Sequence, residues 1–540
     1  MMRVHSSLLA IAFIFGLSAA WADQVEPHHH TEPVEKLGTI SFPTSCAASV
    51  QTSFERGVAL LHSFWYDEAE RQFKKVAAKD PGCAMAYWGE AMSSYHQLWD
   101  RPDEAHLKHG WDLVQKAEMT GEKSERERDY IEALATFYRD YDKVDHDKRA
   151  AAYSERMEKV YQHYPDDNEA AVFYALSLLA SEPENDTQLA YPKKAVSILN
   201  EVLKKEPDHP GVAHYLIHAC DNPRMASLGL PAARRYAEIA PGSSHALHMP
   251  SHIFTRLGLW QEDIQSNLAS KAAAEKLGLQ GGAGRLHAMD FLEYAYLQAG
   301  EAGKAKALIA ETEMVRTADL HQGFSGYLNY ARAQFPATYA LETRQWKVAE
   351  ALQPPAGAEP MHQAITYWAR AVGAGYLRDV AEGRAAVKQF DAMLEAVKKG
   401  PHAYVAKGMQ TKRDEARAWL AFAEGKNEQA LGLLRPLAER QDEVGKGEVD
   451  LPAREMLADM LLEMNRSEDA LVEYEKSLKS DPNRFNGLYG AARAAELGHH
   501  SERASEYSAQ LLKNCEKAAH SDRPELAHAK ELVTQARAAE

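Results

Sequence analysis

Amphipathic, alanine-rich runs follow one another along most of this chain, and short turns separate them. Small or polar turn residues precede such runs at 257–260, 298–300, 346–349 and 423–425. Between the runs, the alternation of β-branched and aromatic residues that is typical of strands is missing. The pattern therefore predicts an all-α chain made of helical hairpins.

A repeat of 34 residues runs through these hairpins. Small, aromatic and proline positions have the spacing of the tetratricopeptide (TPR) repeat at Gly57, Ala69, Phe73 and Pro81, and again at Ala470, Tyr474 and Pro482. In that repeat a small residue lets two helices approach, an aromatic ring fills the gap, and proline ends the second helix. The spacing predicts a right-handed α-solenoid of TPR-type helical hairpins, with one concave surface for binding.

The first residues are typical of a secretory signal peptide. Arg3 supplies the positive charge, residues 8–17 form an apolar run, and Ala20 and Ala22 stand where a signal peptidase would cut. We therefore predict a signal peptide at 1–22 and a periplasmic or secreted protein. Later apolar stretches are too short to cross a bilayer, so no membrane span is expected after the signal is removed.

The mature chain divides by composition into several predicted segments. They are a flexible lead segment at 23–45, an N-terminal TPR array with a histidine-lined groove at 46–300, a second helical-hairpin array at 301–441, a linker at 442–450, and a C-terminal TPR pair at 451–540. A less regular insertion at 180–191 interrupts the first array.

Four cysteines permit three full pairings in an oxidising compartment. Cys46 and Cys83 flank the first helical hairpin, and a disulfide between them would stabilise the fold by about 4 kcal/mol. We predict that pairing, with two free buried thiols as the alternative. The other cysteines are Cys220 and Cys515.

The net charge of -16 bears on the partner. A nucleic-acid surface needs clustered Lys and Arg, and no stretch of the chain supplies such a cluster. We therefore predict a protein or peptide partner and no nucleic acid.

Histidines recur at helical and repeat spacing in the middle of the chain. They are His214, His218, His245, His248, His252 and His287. His214 and His218 lie one turn apart on one helix face, and histidines follow each of them 34 residues later, at His248 and His252. Counting back from the turn glycines aligns three residues of the third helix with this ladder: His287, Asp290 and Tyr294. In TPR proteins, which the pattern resembles, these positions face the binding groove, on a helix face separate from the core.

Two further histidines have the same repeat spacing. His62 and His96 are also 34 residues apart, and each begins a His-x-x-Trp sequence at a groove-facing position.

Stacked imidazoles at this spacing are candidates for metal ligands. Neighbouring helices pack about 8 to 10 Å apart, close enough for rings at equivalent positions to meet at one ion. The predicted ligands are His214, His218, His248 and His252. An all-imidazole site suits Zn, Cu or Ni, with Asp221 or Asp290 as a further ligand or as a partner of a ligand.

Two other interpretations of the ladder remain open. The histidines and aromatic side chains could form a polar groove for an extended peptide or a small anionic ligand. They could also do no more than satisfy buried polar groups. Pro250 interrupts the second helix and either opens a pocket or shifts its register.

Sequence motifs for catalysis are weak. Tyr215 stands where a His-Glu-x-x-His peptidase needs its glutamate, and 281–285 lacks the Lys-Ser/Thr of a phosphate-binding loop. No Gly-x-Ser-x-Gly elbow is present. We expect a binding protein rather than an enzyme, and the alternative is a metal-dependent hydrolase or oxidase that uses the histidine ladder.

The blocks at 57–66, 80–89 and 245–254 resemble a family of exported bacterial TPR-repeat proteins. The resemblance covers most of the mature chain and implies a TPR scaffold, with no catalytic residue to carry over. Tyr294 stands where a third histidine of the ladder would be. The predicted function is an exported TPR scaffold or adaptor that binds a protein segment or ligand in its concave groove, with a histidine-bound metal as one means of binding.

Overall fold

The computed structural model describes residues 35–98, 101–183, 186–278, 282–317, 320, 325–447, 449–518 and 521–539. The predicted signal peptide at 1–22 lies outside these residues, as does the predicted lead segment up to residue 34. None of the residues in these ranges is in a β-strand.

The described chain is a succession of α-helices joined by short turns. They are α1 (Gln51–His62), α2 (Tyr66–Lys79), α3 (Ala84–Ser93), α4 (Glu104–Met119), α5 (Glu125–Tyr138), α6 (His146–His163), α7 (Asn168–Ala180), α8 (Ala190–Lys205), α9 (Pro210–Cys220), α10 (Ala226–Ile239), α11 (Ser244–His248), α12 (Pro250–Leu257), α13 (Trp260–Lys276), α14 (Gly282–Gln298), α15 (Ala302–Met314), α16 (Ser325–Glu342), α17 (Trp346–Ala351), α18 (Pro360–Leu377), α19 (Val380–Lys398), α20 (Met409–Ala423), α21 (Asn427–Val444), α22 (Ala453–Glu463), α23 (Ser467–Ser480), α24 (Phe485–Leu497), α25 (Ser501–Asn514) and α26 (Pro524–Ala539). Short 3-10 turns occur at Ala48–Val50 and Ala403–Ala406.

Each helix packs against its successor, and alternate helices also pack against one another along the array. Helix α1 lies on α3, α3 on α5, α14 on α16, and α22 on α24. Stacked hairpins of this kind form a solenoid, in which each hairpin buries its apolar faces against its neighbours. The predicted all-α solenoid of helical hairpins is confirmed.

The spacing of small and aromatic residues explains the packing within a repeat. The ring of Phe73 fits between Gly57 and Gly89, where a β-carbon would come within 2.6 Å and 2.5 Å of it. Tyr474 fills the same position against Gly490 near the C-terminus. The aromatic ring of the second helix therefore needs a small residue on the helices that flank it.

Contacts between distant helices tighten the array. Helix α1 packs on α9, and α14 packs on α24. The first contact depends on Gly211, because a β-carbon there would lie 2.6 Å from Nδ1 of His62. As a result, the last turn of α1 lies against the first turns of α9.

The prediction of a flexible segment at 23–45 is wrong for residues 36–45. Phe42 is fully buried, with ring centroids 5.4 Å from Phe54 and 5.1 Å from Tyr130. The amide of Thr39 donates to the carbonyl of Asp208 at 3.0 Å. The proline and charge of this segment suggested a solvated chain, but its few apolar side chains fill gaps between helices.

The cysteines pair as the sequence predicts. Cys46 and Cys83 form a disulfide, and their α-carbons lie 4.7 Å apart. Cys220 and Cys515 are buried free thiols.

The segment at 442–450 is not a free linker in the structure. Helix α21 continues to Val444, and the carbonyl of Lys446 accepts a hydrogen bond from Nη1 of Arg256 at 3.0 Å. The residues from 451 on form two hairpins, α22 to α25, followed by α26. Within the described residues, no helix has both the length and the apolar character needed to cross a membrane.

Candidate metal centre

The six histidines of the ladder converge in one region of the array. Three lie on α9 and at the start of α11, namely His214, His218 and His245, and we call them the first triad. The other three, at the end of α11 and on α12 and α14, are His248, His252 and His287, which we call the second triad. Within each triad, the three nitrogen atoms that could bind a metal lie within 4.8 Å of one another.

Local sequence positions these helices. Pro210 begins α9, where Nδ1 of the preceding His209 accepts the amide of Val212 at 3.3 Å. Ser243 caps α11 by accepting the amide of Ala246 at 3.3 Å. Pro250 begins α12, so the interruption predicted at this proline is present and divides the second helix in two.

The two triads are copies of one arrangement. In each, two histidines four residues apart come from one hairpin, and the third comes from the first helix of the next hairpin. The rings of His218 and His252, which are equivalent positions, lie 6.1 Å apart between centroids. The rings of His245 and His248, both on α11, lie 6.2 Å apart.

In the first triad, His214 has a fixed tautomer. Its Nδ1 lies 2.6 Å from the backbone carbonyl of His62, which can only accept, so Nδ1 carries the proton. The lone pair of a neutral His214 is then on Nε2. Nε2 of His218 and Nε2 of His245 each lie 3.1 Å from that atom. Three ring nitrogens therefore converge around one lone pair.

In the second triad, two rings have fixed tautomers. Nδ1 of His252 donates to Oδ2 of Asp221 at 2.8 Å. Nδ1 of His248 donates to Oδ1 of Asn267 at 2.7 Å. The amide of Asn267 is oriented by its own donation to the backbone carbonyl of Asp263 at 3.1 Å, which leaves its oxygen to accept.

The remaining nitrogens of these two rings face each other. Nε2 of His248 lies 3.1 Å from Nε2 of His252. Both Nδ1 atoms are protonated, so when both rings are neutral the two Nε2 atoms present two lone pairs at hydrogen-bond distance and neither has a proton to donate. A cation between them turns this repulsion into two favourable bonds.

Burial, followed by the nearness of the other imidazoles, lowers the pKa of five of the six triad histidines. The pKa falls to about 3 for His218 and His287, and lies well below the ordinary value for His214, His245 and His248. These five rings are therefore neutral at pH 7, which is the protonation state that binds a metal ion.

A charged pair supports the second triad. Asp221 accepts from Nε of Arg256 at 2.8 Å as well as from His252. Burial acts to raise the pKa of Asp221, but the charges of Arg256 and His252 outweigh it and hold that pKa below its usual value. Asp221 is thus a carboxylate that fixes the orientation of a histidine, as carboxylates beside zinc-bound histidines do.

Aromatic side chains enclose the triads. The ring of Phe64 stacks on His218 and His245 at 5.5 Å and 5.7 Å, and Phe291 lies 4.7 Å from the ring of His252. His214, His248 and His252 are buried, whereas His218, His245 and His287 are half-buried. The half-buried rings mark the side of the centre that solvent can reach.

The predicted placement of the histidines on an open groove is therefore wrong for the buried ones. The predicted four-ligand site is also rearranged, because His214 and His218 belong to one triad while His248 and His252 belong to the other. His245 and His287, predicted only to line the groove, supply the third nitrogen of each triad. His248 is the residue equivalent to His214 in the next hairpin. The two hairpins pack so that His245, three residues earlier on the same helix, is the one that meets His214.

His62 has a different role from the predicted one. It is fully buried and joins Glu169 and His209 in a cluster that could in principle hold a metal. Its Nε2 donates to Glu169 at 2.9 Å, and its Nδ1 accepts the hydroxyl of Tyr215 at 2.9 Å. Nε2 of His209 donates to the other oxygen of Glu169 at 3.1 Å. Every donor here meets an acceptor, so this cluster needs no ion, and its function is to hold the carbonyl that orients His214.

Three other predicted residues lie outside the triads. Asp290 accepts the hydroxyl of Tyr330 at 2.9 Å. Tyr294 is buried, bonded to Arg484, and its hydroxyl donates to the carbonyl of Asp450 at 3.3 Å. His96 is half-buried and stacks on Tyr66 at 4.6 Å.

Sequence reasoning missed two residues that orient triad histidines. Asn267 lies on α13, four residues after the buried Asp263, and this polar pair on one helix face was the available signal. Tyr327 lies on α16, and its hydroxyl is 2.6 Å from Nδ1 of His287. No spacing rule connects Tyr327 to the ladder.

No protein-family model and no curated protein matches this chain. Among solved structures, the chain is similar to a human IFIT1 dimer with m7Gppp-AAAA, at 11% identity and a TM-score of 0.35, over 80% of this chain and 90% of that one. It is similar to the human IFIT1 dimer with PPP-AAAA at 10% identity and a TM-score of 0.36, over the same shares of the two chains. Similarity at this level does not extend to the ligand.

Proposed function

We propose that this chain is a metal-binding helical solenoid that holds one transition-metal ion in each histidine triad. The observation that carries this proposal is the pair of Nε2 atoms of His248 and His252, 3.1 Å apart, in rings whose Nδ1 protons are both committed to oxygen acceptors. Between neutral rings this arrangement is repulsive, and a bound cation stabilises it.

The donor set favours a borderline metal. Neutral imidazole suits Zn, Cu and Ni, whereas Mg and Ca require oxygen ligands. Three protein ligands leave a coordination position for water or for a further ligand. In both triads an oxygen acceptor fixes a ring by accepting its Nδ1 proton, and this arrangement accompanies most histidine ligands.

Metal analysis of the untagged chain tests the proposal. After loading with Zn²⁺, Cu²⁺ or Ni²⁺ and exhaustive dialysis, we expect about one ion per triad. The double change His214→Ala with His218→Ala should remove one ion, and His248→Ala with His252→Ala should remove the other.

Two controls separate the triads from incidental binding. His106 and His109 lie three residues apart on α4, with side chains 56% and 48% exposed, and changing both to Ala should leave the metal content unchanged. The second control changes His28, His29 and His30 to Ala, which removes the histidine run near the N-terminus and should also leave the metal content unchanged. The proposal would be rejected if the wild-type chain kept no metal after dialysis. It would also be rejected if the triad and control variants lost equal amounts of metal.

A metal-dependent enzyme is the second candidate function. The three-nitrogen donor sets favour it, because catalytic metal sites have three protein ligands and one open coordination position. Hydrolysis of 4-nitrophenyl acetate and aerobic oxidation of catechol by the loaded chain are suitable assays. Activity that is lost in a variant with His214, His218, His248 and His252 all changed to Ala supports this function, and equal rates in that variant and the wild type exclude it for these substrates.

We propose an exported protein that binds a protein segment or ligand, at surfaces other than the buried histidines, and that does not bind nucleic acid. Cell fractionation tests export, and recovery in the cytoplasm alone would contradict it. Titration with a fluorescent single-stranded RNA at physiological salt tests the last statement, and saturable binding would contradict it.

A further inference from the structure

A separate cavity of about 500 Å³ lies in the second half of the array. Helices α18, α19, α20 and α21 and the turn after α21 enclose it. Apolar side chains form most of its wall, among them Ile365, Phe390, Met409, Leu437 and Val444. Its volume is within the range of about 300 to 1,000 Å³ that is usual for sites that bind small molecules.

One part of the cavity wall is polar and rich in cations. Lys412, Arg440 and Lys446 contribute positive charge, and Asp450 and Glu415 are the acidic residues of the lining. Burial raises the pKa of Glu415 to about 7, so that this carboxyl is partly protonated at neutral pH. Lys446 pairs with Asp481 at 3.3 Å and Lys412 pairs with Asp450, so the positive charge that the lining leaves uncompensated is that of Arg440.

The cation at the centre of this wall is held in place from two sides. Nζ of Lys412 lies 2.7 Å from Oδ1 of Asp450 and 3.9 Å above the ring of Trp368. The indole of Trp368 in turn donates to Glu415 at 2.8 Å. The lysine is therefore positioned before any ligand arrives, which lowers the entropy cost of binding.

Two side chains of the lining have polar atoms without partners. His362 is only 7% exposed, and its Nδ1 has no hydrogen-bond partner. Arg440 is exposed, and within the part of the chain that the structure describes it makes no hydrogen bond or ion pair. A buried polar atom without a partner is costly unless a ligand or water satisfies it.

We propose that this cavity binds a small organic anion with an apolar body, namely a medium-chain or aromatic monocarboxylate. The carboxylate is bound by Lys412, Arg440 and His362, and the hydrocarbon part lies against Phe390, Met409 and Leu437. A cationic ligand is disfavoured by the charge of the lining, and a fully polar one by its walls. The proposal stands on this cavity alone and does not depend on metal binding at the triads.

Isothermal titration of the metal-free full chain with decanoate tests the proposal, with decanamide as the uncharged ligand of the same length. Decanoate should bind at about one molecule per chain, and decanamide at least about tenfold more weakly, since a charge-assisted hydrogen bond contributes about 1.5 to 3 kcal/mol. Leu437→Trp, which fills the apolar part, should abolish binding of both.

Variants of the cationic side chains complete the experiment. Lys412→Met should weaken decanoate binding by about tenfold or more, but it also breaks the contact with Asp450. Arg440→Gln therefore serves as the second variant, because it changes an exposed side chain that, among the described residues, makes no hydrogen bond or ion pair, and it should weaken binding several-fold. Arg435→Gln, on the same helix but outside the cavity lining, is its matched control.

The outcomes are distinct. Equal affinity for decanoate and decanamide would overturn the anion site, as would an affinity unchanged by Arg440→Gln. The absence of saturable decanoate binding, or binding that survives Leu437→Trp, would overturn the cavity as the site.

Discussion

Replacing Asp221 by Asn tests how the second triad is built. The carboxylate of Asp221 accepts the Nδ1 proton of His252 at 2.8 Å and holds Arg256 at 2.8 Å. The amide keeps the shape and one oxygen acceptor but removes the negative charge that makes His252 a stronger metal ligand. The substitution should therefore weaken binding at the second triad while leaving both rings in the protein.

The size of the effect follows from comparable metal sites. Loss of a carboxylate behind a histidine ligand lowers metal affinity by about 10- to 100-fold, or about 1.4 to 2.7 kcal/mol. The first triad should keep its affinity, because a backbone carbonyl, that of His62, orients His214 there. Some stability should also be lost, up to about 3 to 5 kcal/mol, since the buried Arg256 loses the charge of Asp221.

Competition between the chain and a chelator of known affinity, followed by Cu²⁺ absorbance, resolves the two sites. Chemical unfolding, measured in parallel, separates metal affinity from stability. Asp103→Asn is the matched control, because Asp103 pairs with His106 at 2.7 Å on the exposed surface of α4. Equal weakening of both sites would mean that the substitution acts through the fold, and unchanged affinity at both would refute the role given to Asp221.

Three other predictions follow from the described packing. Two Cu²⁺ ions in neighbouring triads should show a half-field signal in electron paramagnetic resonance, since the rings of His218 and His252 are 6.1 Å apart and the ions lie within about 10 Å. Phe73→Ala should lower the free energy of unfolding by about 3 to 5 kcal/mol in urea titration, because it empties the gap between two helices. Burial raises the pKa of Glu90 to about 7, so its charged form destabilises the fold as pH rises above the ordinary value. Glu90→Gln should therefore raise the free energy of unfolding by about 1 to 2 kcal/mol at pH 8 and leave it nearly unchanged at pH 4.5.

Each of these predictions has a control. The His248→Ala, His252→Ala variant should show only isolated Cu²⁺, and a wild-type spectrum identical to it would contradict the proximity of the triads. Tyr404→Ala removes an aromatic ring that is 45% exposed, and a cost equal to that of Phe73→Ala would contradict the packing argument. Glu118→Gln changes an exposed carboxylate of α4, and an equal gain at pH 8 would show that burial of Glu90 is not the cause.

The sequence by itself determined the helical hairpins and the faces on which the histidines lie. Amphipathic period and the 34-residue spacing act within one or two hairpins, which is the range over which local backbone geometry fixes side-chain direction. For this reason the sequence predicts that His214 and His218 share one helix face. It also predicts that His248 and His252 are their equivalents in the next hairpin. The disulfide between Cys46 and Cys83 could be predicted in the same way, because both cysteines flank one hairpin.

Only the tertiary structure decided how those histidines are grouped and buried. Whether His245 or His248 stands next to His214 depends on the angle between successive hairpins, which no local period encodes. The carbonyl of His62 reaches His214 from 152 residues away, because α1 packs on α9 across the closely fitted Gly211. Contacts of this kind result from small rotations summed over several repeats. The sequence therefore predicts the spacing of the histidines, but only the folded chain determines how they group into two triads.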